Sequence, residues 1–234
     1  MMFKIITFVL MATFYVCYFA KMISQRRQGI ETDQLGKGKE GFVRFIEISL
    51  KTVTYLVPVI QVISIWLYAA PAGAEMVNAG ILDAGMTDAG MTDAGMADAE
   101  LFDTANSVGM MQMWQQLAGV IMTAAGVTAF VVSVLQMKDN WRAGVQREEK
   151  TELVTTGIYA ISRNPAFLGF DLMYVGILVS FFNWYLCVVT VLALVLFHLQ
   201  IVNVEEEFLV ETFGEEYLRY KKRVCRYLVR RRER

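Results

Sequence analysis

The sequence is poor in cysteine, and this limits the classes of protein to which it can belong. Its 234 residues include three cysteines, Cys17, Cys187 and Cys225. Their spacing fits neither a disulfide framework nor a metal site, so we interpret them as small apolar side chains without a redox role. The sequence also lacks the period-2 alternation of apolar residues that marks a membrane β-barrel. These absences exclude a disulfide-stabilised fold, a cysteine-ligated metal centre and a barrel.

Long apolar runs are present instead, in a chain that is 56% hydrophobic. Five runs come near or exceed the roughly 17–25 residues that a helix needs to cross a bilayer. Lipid offers no partner to a free backbone amide, so each run is predicted to be a helix. The predicted spans are residues 2–20, 52–70, 113–137, 166–182 and 184–204. The sequence therefore predicts an all-α, polytopic membrane protein with about five transmembrane helices.

Lys and Arg are absent from residues 71–113, which contain seven acids. Basic residues are concentrated between the first two runs, after the third run and at the C-terminal end. Because cytosolic segments are enriched in Lys and Arg, we expect the N-terminus and the acidic segment outside and the C-terminus in the cytosol. The first run has its positive charges after it and no clear cleavage site. We therefore expect a membrane anchor rather than a cleaved signal peptide.

The acidic segment contains a tandem repeat, DAGMT, DAGMT, DAGMA, within residues 83–98. A period of five fits neither a helix nor a strand, and the closing Glu and close oxygen spacing of a calcium loop are absent. We therefore predict a low-complexity external insertion. The predicted parts are two N-terminal transmembrane helices with a cytosolic connector (1–70), the acidic loop (71–112), and a membrane core with a cytosolic tail (113–234).

The C-terminal third has a distinct pattern. Its two apolar runs are separated only by the step Asn183-Trp184, which predicts a helical hairpin. From residue 205 to 227, apolar residues recur at helical spacings of three and four among Lys and Arg. This pattern predicts an interfacial amphipathic tail helix on the cytosolic membrane surface, and its charges suit anionic lipid better than nucleic acid.

Polar residues are found at both ends of this hairpin. Pro165 is suited to the first position of a helix and Asn164 to the N-cap, so a carboxylate ligand would be favoured beside Arg163. His198 and Glu205 are seven residues apart, which places them on one helix face. Taken singly, Arg163 is also consistent with a lipid-phosphate contact and His198 with a contact between helices. Taken together, we interpret them as a site, because polar groups in a span normally face a partner or a cavity.

These residues belong to an ordered set of motifs within residues 150–228. The motifs are Gly157-x-Tyr159, Arg163-Asn164-Pro165, and Glu205-Glu206 followed by Leu209, Phe213-Gly214, Tyr217 and Tyr220. The combination resembles the integral-membrane methyltransferases, the isoprenylcysteine carboxyl methyltransferase and phospholipid methyltransferase superfamily. The resemblance implies that S-adenosylmethionine binds at the cytosolic face between the last two spans, and that a lipophilic acceptor enters from the bilayer.

The resemblance also implies roles for individual residues. The expected cofactor-binding residues are Gly157, Tyr159, Arg163, Asn164, Pro165, Glu205, Glu206 and Tyr217. A carboxylate acceptor needs no base, whereas an amine or thiol acceptor would need one, for which His198 and Glu206 are the candidate catalytic residues.

The chain departs from the superfamily pattern at two positions. Many members carry His where this sequence has Asn164, so a proton-transfer role is lost there. Members that resemble the eukaryotic enzyme carry an Arg four residues before the first Glu of the pair, where this chain has Ile201, and His198 is the candidate substitute. The second departure disfavours a strict prenylcysteine specificity.

The predicted function is S-adenosylmethionine-dependent transfer of a methyl group to a lipophilic, membrane-soluble acceptor. The acceptor is either an isoprenylcysteine-type carboxylate or another lipid O, N or S nucleophile, and no metal or nucleic acid is expected. The alternative is a catalytically degenerate member of the superfamily that acts as a membrane scaffold or partner subunit. A transporter is disfavoured, because inverted repeats are absent and the polar residues lie at one face rather than at the midplane.

Overall fold

The computed structural model describes residues 1–28, 35–37, 39–68, 93–141 and 152–228, without the side chains of residues 93–106 and 139. The helices are α1 (Met2–Arg27), α2 (Gly41–Leu67), α3 (Asp93–Met137), α4 (Pro165–Ser180), α5 (Trp184–Gln200) and α6 (Glu206–Arg223). A π-helical turn, Ile201–Glu205, joins α5 to α6, and 3-10 turns lie at Lys138–Asn140 and Gly157–Ala160. Most of the predicted acidic loop, with residues 83–92 of its repeat, lies outside the described residues.

Helix length and hydropathy confirm the predicted all-α polytopic class. Within the described residues, four helical stretches are long and apolar enough to cross a membrane, namely α1, α2, Ser107–Met137 within α3, and the run that begins with α5. Helix α4 is apolar but shorter, with 16 residues. Large apolar side chains such as Val16, Trp66 and Val188 remain exposed on the outer helix faces. Such a surface is suited to lipid contact rather than to water.

The transmembrane helices pack as a ring in the order α1, α3, α4, α5, α2. The most extensive contact joins α3 to α4, followed by α2 with α5 and α1 with α3. Helices α4 and α5 follow one another with a short turn between them, as the predicted hairpin requires. The side chain of Asn183 caps α5 by accepting a hydrogen bond from Leu186 N at 2.9 Å. The two helices of the hairpin nevertheless pack mainly on other partners, and the contact between α1 and α2 is smaller still.

A seam of glycines explains the close contact of α3 with α4. Gly126 of α3 faces Gly169 of α4, and a Cβ added to Gly126 would lie 2.6 Å from the Gly169 carbonyl oxygen. Gly119 and Gly176 face each other in the same way further along the two helices. Small residues let two membrane helices approach until their backbones touch, and this contact replaces the hydrophobic driving force that lipid does not provide.

Aromatic rings fill the interior of the ring of helices. Phe14, Phe130 and Phe170 bring α1, α3 and α4 together, with a stacked Phe14–Phe130 pair at 4.1 Å between centroids. Phe170 also lies 5.1 Å from Phe197, which bridges the gap between α4 and α5. Rings in these geometries contribute beyond the area that they bury.

Helix α6 is amphipathic, and part of its apolar side packs within the protein. Tyr217, Tyr220 and Val224 are buried and pack with Leu153, Leu209, Val210 and Phe213. Gly214 kinks the helix with φ 50° and ψ −124°, a conformation that glycine adopts without steric cost. The helix ends at Arg223, earlier than the predicted residue 227, because the following residues turn back toward the start of α4.

Candidate active site

A cavity of ≈ 200 Å³ lies among the helices of the ring, and its lining joins aromatic side chains to a small number of polar ones. The polar side chains that matter for chemistry are Lys51, Glu152, Arg163, Asn164, Gln200 and Glu205. They come from α2, the segment before α4, and the α5–α6 junction. A mostly apolar cavity with a few convergent polar groups is the usual form of a small-molecule site.

The loop that carries Arg163 and Asn164 is held by the C-terminal tail. Arg163 N donates to the Cys225 carbonyl at 3.0 Å, and Asn164 N donates to the Arg226 carbonyl at 3.2 Å. Asn164 does precede α4, with Pro165 at its start, but its side chain makes no capping bond. Its Nδ2 instead donates to the Arg226 carbonyl at 3.2 Å, which corrects the expectation of a side-chain cap.

Arg163 is fixed on one side and open on the other. Its Nη1 donates to Tyr217 Oη at 2.8 Å, and its Nη2 lies 3.1 Å from Glu206 Oε1. Among the described residues, its buried Nε has no hydrogen-bond partner. A buried donor left unpaired is costly, and Arg163 is a cavity-lining residue.

Glu206 lies outside the set of cavity-lining residues and is surrounded by cations. Besides Arg163, its carboxylate accepts hydrogen bonds from Lys221 Nζ at 2.8 Å and Arg226 Nε at 2.7 Å. The carboxylate is 7% exposed, so these charges compensate a nearly buried anion. Glu206 thus contacts the guanidinium of Arg163 directly, and its predicted catalytic role stays a prediction.

Glu205 does line the cavity, next to Gln200. Gln200 is fully buried, and its Nε2 donates to Glu47 Oε1 at 3.2 Å. Because the Glu47 carboxylate accepts hydrogen bonds, the amide nitrogen of Gln200 faces it and the amide oxygen Oε1 points away. Among the described residues, Gln200 Oε1 has no hydrogen-bond partner. The π-helical turn between Gln200 and Glu205 widens the helix at this point, as is frequent at functional sites.

Glu47 of α2 is a residue of this region that the sequence analysis missed. It is fully buried and accepts hydrogen bonds from Gly36 N at 2.7 Å, from Lys39 Nζ and from Gln200. It therefore ties the α1–α2 connector and α2 to α5 beside Glu205. An acid within an apolar helix was the available signal, but the second span was predicted to begin only at residue 52.

The Gly157 and Tyr159 positions have different surroundings. Gly157 has φ +58°, and a Cβ there would overlap the side chain of Gln136, whose Oε1 accepts from Ile158 N at 2.9 Å. Gly157 therefore permits local packing and is not among the cavity-lining residues. Tyr159 does line the cavity, its carbonyl accepts from Tyr220 Oη at 2.6 Å, and burial raises the pKa of its phenol. Tyr217 is fully buried beneath Arg163.

His198 is exposed and is not among the cavity-lining residues. Its Nδ1 lies 2.9 Å from Tyr227 Oη, a hydrogen bond whose donor depends on the imidazole tautomer. Burial raises the pKa of Tyr227 to about 12, so the phenol is neutral at physiological pH. Of the predicted site residues, the structure thus brings Tyr159, Arg163, Asn164, Pro165 and Glu205 to the cavity. Four others are not among its lining residues, namely Gly157, His198, Glu206 and Tyr217.

Comparison with known proteins finds relatives for the part of the chain that supplies the cavity-lining residues of α3 to α6. Residues 108–216 match the family model of phospholipid methyltransferases. The protein-S-isoprenylcysteine O-methyltransferase of Rattus norvegicus is 35% identical over 113 residues, which are 47% of this chain and 40% of the rat protein. The Homo sapiens protein of that name is 33% identical over 113 residues, with the same shares of 47% and 40%. The Saccharomyces cerevisiae one is 35% identical over 79 residues, 34% of this chain and 33% of its own.

The apolar helices and these relatives define an integral membrane protein. Residues 108–216 are thus similar to phospholipid methyltransferases and to part of the protein-S-isoprenylcysteine O-methyltransferases, which confirms the resemblance found in the motifs. The chain spans about two fifths of the length of the rat relative. Helices α1 and α2 and the tail after residue 216 lie outside the matched family model.

Proposed function

We propose that the protein is an integral-membrane methyltransferase that uses S-adenosylmethionine and methylates a lipophilic acceptor. The relatives named isoprenylcysteine O-methyltransferases make a carboxylate of the isoprenylcysteine type the first acceptor to test. The observation that carries the proposal concerns two buried polar atoms, Arg163 Nε and Gln200 Oε1, which have no hydrogen-bond partner among the described residues. Both belong to residues that line the same cavity as Glu205.

These groups fit the cofactor chemically. S-adenosylmethionine carries a carboxylate, an ammonium, a sulfonium and ribose hydroxyls. Arg163 would hold the carboxylate, since an unpaired guanidinium donor is suited to an anion. Glu205 and the Gln200 oxygen would accept from the ammonium or the hydroxyls, and the aromatic ring of Tyr159 would pack against an apolar or cationic part. When bound, this cofactor supplies an already activated methyl group.

The residues of the chain then have three tasks: to orient the two reactants, to exclude water and to keep the acceptor ionised. A carboxylate acceptor is nucleophilic at neutral pH, so the protein contributes mainly alignment. The aromatic lining limits the water that reaches the reacting atoms. For an amine or thiol acceptor, Glu205, one of the two carboxylates named in the cavity lining, would take the proton.

The orientation of the protein belongs to the same proposal. The distribution of Lys and Arg supports an orientation in which the N-terminus and the acidic loop lie on the non-cytosolic side of the membrane. The C-terminus then lies in the cytosol. The loop of Arg163 is paired with the basic tail, so the cofactor would bind from the cytosolic face.

Cofactor binding to detergent-purified protein tests the proposal directly. We would measure the dissociation constant of S-adenosylmethionine by isothermal titration calorimetry for the wild type and for Glu205→Gln. The matched control is Glu207→Gln, whose side chain is exposed. Loss of one charge-assisted hydrogen bond, about 1.5–3 kcal/mol, should weaken binding by about 10–100-fold for Glu205→Gln alone. A folded wild type that does not bind the cofactor would overturn the proposal and favour the membrane-scaffold alternative.

A further inference from the structure

One side chain of α2 is hydrogen-bonded to a residue that lines the cavity and to the neighbour of another. The carboxylate of Glu47 accepts hydrogen bonds from Gln200 Nε2 at 3.2 Å and from Gly36 N at 2.7 Å. Gln200 lines the cavity, and so does Leu35, the residue before Gly36. We propose that Glu47 is a positioning residue for the cofactor, which acts by turning the amide oxygen of Gln200 toward the ligand. This inference rests on the proposed function.

The chemistry of the amide group explains why such a residue is needed. The two ends of the Gln200 amide have similar shapes but opposite roles in hydrogen bonding, so a neighbour decides which end a ligand meets. A carboxylate only accepts hydrogen bonds, and Glu47 therefore selects the amide nitrogen. The buried amide oxygen has no hydrogen-bond partner among the described residues and is left for a donor. The ammonium and the ribose hydroxyls of S-adenosylmethionine are such donors.

The surroundings of Glu47 support orientation rather than stability as its role. Glu47 is fully buried in an apolar helix, and it forms an ion pair with Lys39, whose side chain is 19% exposed. Such a pair contributes little net stability compared with apolar side chains, because both charges lose hydration. With the Gly36 amide, the ion pair instead fixes the carboxylate that Gln200 meets.

The N-terminal part of the chain thereby takes part in cofactor binding. Glu47 belongs to α2, which lies outside the segment 108–216 that matches the family model, whereas Gln200 lies within that segment. Helices α2 and α5 share one of the most extensive contacts between described elements, so the two side chains are brought together by helix packing. Helix α2 is then a part of the cofactor site and not only a membrane anchor.

A double-mutant cycle tests this role. We would measure the dissociation constant of S-adenosylmethionine by calorimetry for the wild type, Glu47→Gln, Gln200→Met and the double variant. Each single variant should weaken binding by about threefold to tenfold, as expected for one hydrogen bond. The double variant should bind no more weakly than Gln200→Met alone, because Glu47 acts through the Gln200 amide. Losses that simply multiply in the double variant would overturn the inference, since a merely structural glutamate acts alike in both backgrounds.

Melting temperatures of the same samples show whether each variant is folded. The matched control is Glu40→Gln, an exposed acid that should leave binding unchanged. If Glu47→Gln does not fold, Glu47→Asp takes its place, since it keeps the charge for Lys39 but is one methylene shorter. Wild-type affinity in Gln200→Met would overturn the inference in either case. A wild type that binds the cofactor no better than the Glu47 variant contradicts this inference alone. A folded wild type that binds no cofactor contradicts the proposed function.

Discussion

The cluster around Glu206 permits a quantitative prediction. Arg163 and Glu206 are 6% and 7% exposed and lie 3.1 Å apart, so Glu206→Ala would leave a buried guanidinium without its counter-charge. Breaking such a pair typically costs about 3–5 kcal/mol. Lys221 and Arg226 are 40% and 31% exposed, and pairs of this kind contribute only about 0–1 kcal/mol each. The first pair therefore dominates the expected loss of about 3–5 kcal/mol.

This loss should appear as a lower melting temperature in detergent, by about 6–20 °C at about 2–4 °C per kcal/mol. Circular dichroism measures the unfolding, and calorimetry with S-adenosylmethionine shows whether Arg163 still binds its ligand. The control is Glu207→Ala, an exposed neighbour in the same turn. Glu206→Gln, which keeps the shape and an acceptor oxygen, should fall between the two. If Glu206→Ala unfolds at the same temperature as Glu207→Ala and binds the cofactor equally well, then Glu206 does not anchor Arg163.

Three further changes test other parts of the molecule. Glu47→Ala should destabilise the protein by about 1–3 kcal/mol for each buried donor left unpaired, measured as a lower melting temperature, whereas exposed Glu40→Ala should not. Gly176→Ala should cost about 1–3 kcal/mol or prevent folding, since its Cβ would lie 2.6 Å from the Gly119 carbonyl oxygen, and size-exclusion chromatography would report the loss of folded protein. His198→Ala should lower kcat less than tenfold, because the imidazole is outside the cavity. A loss of about 10²–10⁴ would instead support the general base predicted from the sequence.

Much of the fold follows from hydropathy, because a chain in lipid has to pair its own backbone and therefore forms helices. Which helices touch does not follow from hydropathy. Chain order suggested a close α4–α5 hairpin, whereas α4 packs most extensively on α3 through glycines such as Gly126 and Gly169. A backbone contact of this kind depends on which face of each helix is turned toward the other, and the apolar runs are nearly uniform around their circumference.

The candidate site could likewise be predicted in part from the sequence, whereas the rest depends on how the helices pack. Motif order identified the loop of Arg163 and the start of α6, and Glu205 does line the cavity. The motif does not distinguish a side chain that faces the cavity from one beside it. Glu206 is surrounded by three cations, and its predicted catalytic role stays a prediction. Lys51 and Glu47 belong to α2, where no motif drew attention, and only three-dimensional packing brings them to α5 and the cavity.

The pairing of the tail with the loop before α4 has a consequence for biosynthesis. The carbonyls of residues 225 and 226 accept hydrogen bonds from the amides of Arg163 and Asn164, and both residues follow the membrane-length helices that the structure describes. The ribosome therefore makes them after these helices, and until then the loop lacks these hydrogen-bond acceptors. A released chain that ends shortly before residue 225 would therefore contain the described membrane-length helices but lack the carbonyls that hold the Arg163 loop in place.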